Sequence, residues 1–304
     1  MPTLSKERAI AEAVLAALLW GVSFAATRWA LAVFTPLGLT GLRFFGAFIA
    51  CVPFLIGSYS RKEIGAAFVA ALLPGISLGV CFAVQAAGLL YTSVAKNSFI
   101  TVLYIFFVPL LEYFSLSLPV QKLHFALVGL ALVGIALMCN LEWGQWNGGD
   151  LLSLCAALAA ALQIFFIDRL VTQRRLSSPF LLNSFQSLWA GIAGAVFLAV
   201  VHPIMYQSVT LSALVGLAIL IFGSTIFAFL MQIRAQRVLP GRIASLLFLL
   251  ESPFAAFFGY FLLSERMSFR QISGALLVIG AAFAATQLNT FKWGRSPATE
   301  KRSF

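Results

Sequence analysis

The chain has 304 residues, 61% hydrophobic and only 10% charged, and its mean hydropathy is +0.98. A soluble domain of that size needs far more charge to cover its surface, so soluble classes are excluded. The net charge of +10 would suit a nucleic-acid binder, but its placement along the chain follows membrane topology instead.

Ten apolar stretches, each about long enough to cross a ~30 Å hydrocarbon core, follow one another with short connections. The first runs over about residues 9–31 and carries Trp20 and Phe24 at i, i+4, on one helix face. It is long enough to stay as a span and no clean small-residue cleavage site follows it, so it reads as a retained helix. The second, 36–57, holds Arg43 about seven residues from its start. The third, 65–90, contains Gly75 and Gly79 in GxxxG spacing, a packing signal between membrane helices, and then Gln85. The fourth, 95–116, carries Tyr104, and Pro109, which removes a helix hydrogen bond and predicts a kink. Glu12 and Glu112, near helix ends, are expected to be solvated. The fifth, 121–140, has His124 at its start, where packing or solvation is expected.

The longest break, 141–150, divides the chain into halves of five stretches. Its Gly, Asn and Asp residues stop one helix and start the next, with Asp150 suited to an N-cap. Trp143 and Trp146 fit an interfacial aromatic belt. The sixth stretch, 149–168, is smoothed by Ala156, Ala157, Ala159, Ala160 and Ala161 and includes Gln163. The seventh, 178–201, includes Gln186, and the eighth runs over 209–233. The ninth, 242–263, carries Glu251 about ten residues in, hence ~15 Å deep at ~1.5 Å per residue. Pro253 follows and predicts a second kink. Glu265 falls after it, at a helix end or in a loop, and the tenth stretch is 269–289.

With the N-terminus in the cytoplasm, inside segments carry Lys6, Arg8, Arg61, Lys62, Lys122, Arg169, Arg174, Arg175, Arg234, Arg237 and Arg242, and the tail adds Lys292, Arg295, Lys301 and Arg302. Outside segments carry Lys96, Arg266 and Arg270, while Arg28 and Arg43 lie within spans or at their ends. This positive-inside pattern supports ten spans with both termini in the cytoplasm, as in a bacterial inner membrane. Cys51, Cys81, Cys139 and Cys155 read as small apolar packing residues, and no CxxC pair is present. His124 and His202 have no metal-ligand neighbours in the sequence. No metal and no cofactor are expected.

The halves repeat. Pro36, Leu39, Ala47, Ala50 and Phe54 fall opposite Pro179, Leu182, Ala190, Ala193 and Phe197, and Leu103, Pro109, Phe114 and Leu118 fall opposite Leu247, Pro253, Phe258 and Leu262. An odd number of spans per half turns the second copy upside down. Inverted repeats are an architecture of secondary transporters, which bind substrate between the halves near the midplane. The expected fold is an all-α integral membrane protein of ten transmembrane helices, with repeats at 1–145 and 146–304.

Several segments resemble the EamA-type members of the drug/metabolite transporter superfamily. They are Trp20-Gly-Val-Ser-Phe24, Gly149-Asp-Leu-Leu-Ser-Leu, the run from Ala235 to Ser245, Leu250-Glu-Ser-Pro-Phe-Ala-Ala256 and Gly274-Ala-Leu-Leu-Val-Ile-Gly280. The resemblance implies two inverted five-helix repeats around a central cavity, and transport, most often export, of a small metabolite. It names no substrate. The first repeat departs from the second in having Phe107 where the second has Glu251.

Polar groups at membrane depth are costly and need partners or a wet cavity, which makes them candidate site residues. Arg43 suits a substrate carboxylate, a neighbouring side chain or a headgroup. Its repeat counterpart, Gln186, is also polar. Gln85, Gln163 and Tyr104 are further candidates, and Trp20 and Phe24 suit the apolar part of a substrate. Ordinary helix packing competes with each. Glu251 suits a proton-coupling site or a cation contact, against a structural role beside Pro253, and a direct Arg43–Glu251 bridge is open. The expected partners are a small-molecule substrate, lipid and coupling protons. A polytopic membrane enzyme and a structural scaffold are the other classes. The enzyme lacks a GxSxG or HExxH motif, and an ATP-driven pump lacks a phosphate loop.

Overall fold

The structure, a computed structural model, describes residues 4–88, 90–92, 94–116, 122–139, 146–173, 178–201, 207–264 and 266–287. Trp143, Arg174, Arg175, His202, Glu265 and the C-terminal basic residues lie outside them. Every regular element among the described residues is helical. The first half comprises α1 (Lys6–Leu31), α2 (Pro36–Leu55), α3 (Arg61–Ala70), α4 (Leu72–Gly88), α5 (Val94–Val102), α6 (Tyr104–Leu116) and α7 (Lys122–Met138). The second comprises α8 (Gly148–Thr172), α9 (Pro179–Val201), α10 (Leu211–Ala218), a π-helical segment (Ile219–Phe227), α11 (Ala228–Gln236), α12 (Gly241–Phe248), α13 (Glu251–Leu263) and α14 (Phe269–Gln287). Each of the ten apolar stretches is helical. Seven helical runs are long and apolar enough to cross a membrane, and α3 with α4, bent by 47°, makes an eighth. The other two are α7, with 17 residues, and α9, with 23.

Local chemistry sets the helix starts. Ser5, Thr35, Ser60 and Thr210 each accept a backbone N–H as N-caps of α1, α2, α3 and α10. The N-cap of α8 is Asn147 rather than the expected Asp150, which takes the third helical position and completes a capping box. From that position the Asp150 carboxylate also binds Lys96 at 2.5 Å through the capping oxygen and accepts from Thr92 at 2.7 Å through the other. Lys96 also sits 5.9 Å from the ring of Trp146, which is exposed.

Breaks precede both Pro109, which lies inside α6, and Pro253. The fourth stretch is interrupted at Leu103 and the ninth at Leu249 and Leu250. Tight turns close both, with Leu103 N–H on the Ile100 carbonyl and Leu250 N–H on the Leu247 carbonyl, each at 3.1 Å. Pro253 is therefore the third residue of a new helix, where a missing N–H removes no bond.

The halves exchange helices. From the first half, α1 packs on α10, the π segment, α11, α12 and α13 of the second. Its counterpart α8 packs on α4, α5 and α6 of the first. Each of α2 and α7 packs on its own counterpart, α9 and α14. This reciprocity is that of a two-fold axis. With five stretches per half, the axis relates repeats of opposite direction, the two inverted five-helix repeats expected.

Small residues make the close contacts. A Cβ on Gly79 would sit 2.5 Å from the Ala190 carbonyl oxygen, so the GxxxG face of α4 meets α9 backbone to backbone. Across the two-fold, a Cβ on Gly134 would sit 2.7 Å from the Gly274 carbonyl, and one on Gly274 would strike that of Gly134.

Asn147 and Gln207 are exposed in their connections. Asn147→Cys and Gln207→Cys, in a background without native cysteines, are expected to react with an impermeant thiol reagent from one face of sealed vesicles. Arg61→Cys and Arg237→Cys should react only from the other. Labelling of all four from one face would break the inverted arrangement.

Candidate functional site between the two repeats

The polar centre is built on the π-helical segment. It bonds i→i+5, which widens its turn. Thr225 Oγ1 donates to the Leu220 carbonyl five residues back, at 2.8 Å. Three side chains from other helices then converge. Trp20 Nε1 donates to the Ser224 carbonyl at 3.1 Å. Asn183 Nδ2 donates to the carbonyls of Thr225 and Ile226, at 3.3 and 2.9 Å. Arg43 Nε donates to Thr225 Oγ1 at 2.6 Å and its Nη2 to Ser224 Oγ at 2.7 Å.

Arg43 is 7% exposed. Its guanidinium also lies over the rings of Phe82 and Phe44, 4.7 and 5.4 Å from the centroids. An arginine at the centre of a membrane helix costs about 2.5–3.5 kcal/mol on insertion scales. Hydrogen bonds from a charged donor, ~1.5–3 kcal/mol each, offset that cost. The arginine is thus held by neutral groups, and it forms no ion pair with the described residues.

Glu251 opens α13 directly after the Leu249–Leu250 break. It is half-buried and makes no hydrogen bond or ion pair with the described residues. The direct bridge to Arg43 does not form. The two are nonetheless within electrostatic reach, and Cys81 and Tyr104 belong to the same group. Tyr104 opens α6 directly after the other break, at Leu103. Trp20 packs edge-on against Phe229 and Phe248, both at 5.2 Å between centroids. Arg43, Tyr104 and Trp20 come from the first repeat, and Glu251, Phe229 and Phe248 from the second.

The other predicted residues lie apart from this group. Phe24, one turn beyond Trp20, is 48% exposed and stacks on no described ring. Gln85 donates to Thr101 at 3.2 Å, in a polar cluster where Asn97 joins the Gln85 carbonyl to Ser153. Gln163 and Gln186 belong to a buried chain of amides. Gln163 donates to Gln186 at 3.2 Å, Gln232 donates to Gln163 and to Gln236, each at 3.0 Å, and Gln236 donates to the Ile164 carbonyl at 2.9 Å. All four are at most 3% exposed. An apolar groove between α7 and α14, lined by Leu123, Leu127, Phe283 and Gln287, shares no residue with these groups.

Sequence reasoning missed Asn183, Ser224, Thr225, Gln232 and Gln236. The signal available was small: polar residues at 183–187 and 224–225 inside apolar stretches. Two acids were misjudged. Glu12 is bound by Arg234 in a bidentate pair at 2.9 and 2.6 Å. Glu112 is not solvated but fully buried, and His124 is 3% exposed. Among the described residues no group of His, Cys, Asp and Glu is placed to hold a metal ion.

Removing the hydroxyls should expose the arginine's cost. Ser224→Ala with Thr225→Val is expected to lower the stability of the folded protein by ~1–3 kcal/mol through unpaired arginine donors. Thermal unfolding in detergent checks it, and a double variant as stable as the parent would remove the π segment as the anchor of Arg43.

Comparison with known proteins agrees with this architecture. The EamA-like transporter family matches twice, at residues 8–140 and 147–287. An uncharacterized transporter of Archaeoglobus fulgidus is 29% identical over 269 residues, covering 87% of this chain and 81% of the relative. A crystal structure of a protein 17% identical in sequence superposes with a TM-score of 0.77, over 93% of this chain and 99% of that one, and so shares its fold. The chain belongs to the EamA-like transporter family and is an integral membrane transporter.

Proposed function

We propose that the protein is a secondary carrier that exports a small amino acid-like or drug-like metabolite by alternating access, in exchange for protons. The observation that carries this reading is the pairing of Arg43 and Glu251. They come from opposite repeats, lie within electrostatic reach, and are not bonded to each other. A substrate with an amino group and a carboxylate would bridge them, amine to Glu251 and carboxylate to the guanidinium. Trp20 and Tyr104, with Phe248, would enclose its apolar part. In this reading Phe24 and Gln85 extend the site, and the Gln163–Gln186 pair backs it from within the second repeat.

The same carboxylate supplies the coupling. At membrane depth Glu251 is neutralised by a proton or by a cationic group, and both use the same oxygens. Substrate amine and proton therefore exclude each other, and a proton entering from outside displaces substrate outward. The basic residues predicted inside support a plasma membrane of the bacterial inner type, with both termini in the cytoplasm.

Glu251→Gln keeps the shape and the hydrogen-bonding groups and abolishes the charge. The purified variant in liposomes is expected to stay folded but, mimicking the protonated acid, not to concentrate substrate when a pH gradient is imposed. A metabolite panel with and without that gradient identifies the substrate first. Gradient-driven accumulation by Glu251→Gln at the parent rate excludes the coupling role. Loss of folded protein would assign Glu251 to structure.

A further inference from the structure

A second set of buried charges lies at the start of α12, apart from the central group. The N-cap of α12 is Pro240, whose side chain caps nothing. The first two amides of the helix are taken by carboxylates from other helices. Asp168 of α8 accepts from Gly241 N–H at 3.1 Å, and Glu112 of α6 accepts from Arg242 N–H at 2.9 Å. One acid belongs to each repeat. A Cβ on Gly241 would sit 2.9 Å from Glu112 Oε1, so glycine leaves the carboxylate its place against the amides.

The charges at this point do not balance. Glu112 is 0% exposed and Asp168 6% exposed. Arg242 faces them, its Nη1 3.7 Å from Glu112 Oε2. Of the other cations near by, Arg234 of α11 is bound to Glu12 of α1, and Arg169 of α8 and Arg237 after α11 are exposed. From α7 comes His124, an electrostatic neighbour of Arg242, 3% exposed and with neither ring nitrogen hydrogen-bonded. Among the described residues, two buried carboxylates thus face one guanidinium, whose side chain is 26% exposed. Glu112 Oε2 is itself buried with no hydrogen bond. It is an acceptor waiting for a hydrogen, and carboxylates that share a site retain a proton between them.

We propose that Glu112 and Asp168 together bind one proton, and that this proton latches the N-terminus of α12 to both repeats. With the proton in place, the net charge of the two acids and Arg242 is zero, and both carboxyl groups still accept from the helix amides. Loss of the proton leaves two like charges side by side, so one acid withdraws and α12 is released. The released helix is the one whose far end carries Phe248, packed on Trp20, and then the break before Glu251. The latch therefore opens the end of the molecule that carries Arg234, Arg237 and Arg242 as pH rises. The inference does not use the substrate reading of the central site.

The test follows exposure beneath the latch. Val108 and Ile164 both lie against Gly241, 3.4 and 3.3 Å from where a Cβ on that glycine would sit. Val108→Cys or Ile164→Cys is introduced into protein that retains only Cys51, which is 2% exposed. Maleimide labelling is followed in detergent, without substrate, from acidic to mildly alkaline pH. Labelling beneath the latch is expected to rise several-fold with pH, beyond the reagent's own pH dependence on a free thiol, while Cys51 stays protected in the same sample. Glu112→Gln and Asp168→Asn each remove the excess charge and should hold labelling low at every pH. A flat profile without these substitutions overturns the proposal, as does a Glu112→Gln or Asp168→Asn profile that rises in the same way. The first of these results needs no acid variant, so failure of one to fold leaves the proposal testable.

Discussion

The structure depends on a guanidinium buried in a membrane protein and bonded to hydroxyls instead of to an acid. Had Arg43 met a carboxylate, its charge would be spent. Held by Ser224 and Thr225, it keeps its full charge and reaches outward electrostatically to Glu251. The arrangement requires two hydroxyls side by side on one face, near the turn where Trp20 and Asn183 also find carbonyl partners. That stretch is π-helical, with a wider turn than a regular α-helix. The conformation of one stretch of backbone thus fixes the orientation of three side chains from three other helices.

The two breaks serve the same end. A continuous helix has no free polar backbone and presents its side chains in a fixed spiral. The interruptions of the fourth and ninth stretches put Tyr104 and Glu251 each at the first position of a new helix. The helix exchange between the halves follows from the same geometry. Because α1 packs among second-half helices and α8 among first-half helices, neither half has a complete packing surface alone.

Much of this was legible in the sequence. The ten apolar stretches, the two-fold repetition and the small-residue contact at Gly79 follow from hydropathy, spacing and residue size, and these are local properties. Glu251 and Arg43 were legible as candidates because a charge in an apolar stretch is conspicuous. Their partners were not. Serine and threonine are common in membrane helices, and nothing in Gly223-Ser224-Thr225 announces a π-helical turn. The kink expected at Pro253 was misplaced because that proline falls in the first turn of α13, which tolerates it, whereas Pro109 stays inside α6. Glu112 was misjudged because its position near a helix end said nothing of the two neighbouring helices that cover it.

The pseudo-symmetry itself explains why the polar groups must differ between repeats. The offset that carries Pro36 to Pro179 also carries Arg43 to Gln186 and Phe82 to Thr225. Arg43 contacts both, with its guanidinium 4.7 Å from the Phe82 ring centroid and its Nε donating to Thr225 Oγ1. Gln186, in the equivalent place to Arg43, bonds to a neutral amide instead. Identical repeats would put two arginines at the centre, or two glutamates, and like charges would repel there. Divergence has left one cation from the first repeat and one anion from the second. A strictly symmetric pair of inverted repeats would also make its two symmetry-related conformations equal in energy. Unequal residues at equivalent positions remove that equality, so each conformation can respond differently to whatever neutralises Glu251. A ligand shifts such an equilibrium only by its difference in affinity for the two states, and here the asymmetry of charge between two otherwise matching halves supplies that difference.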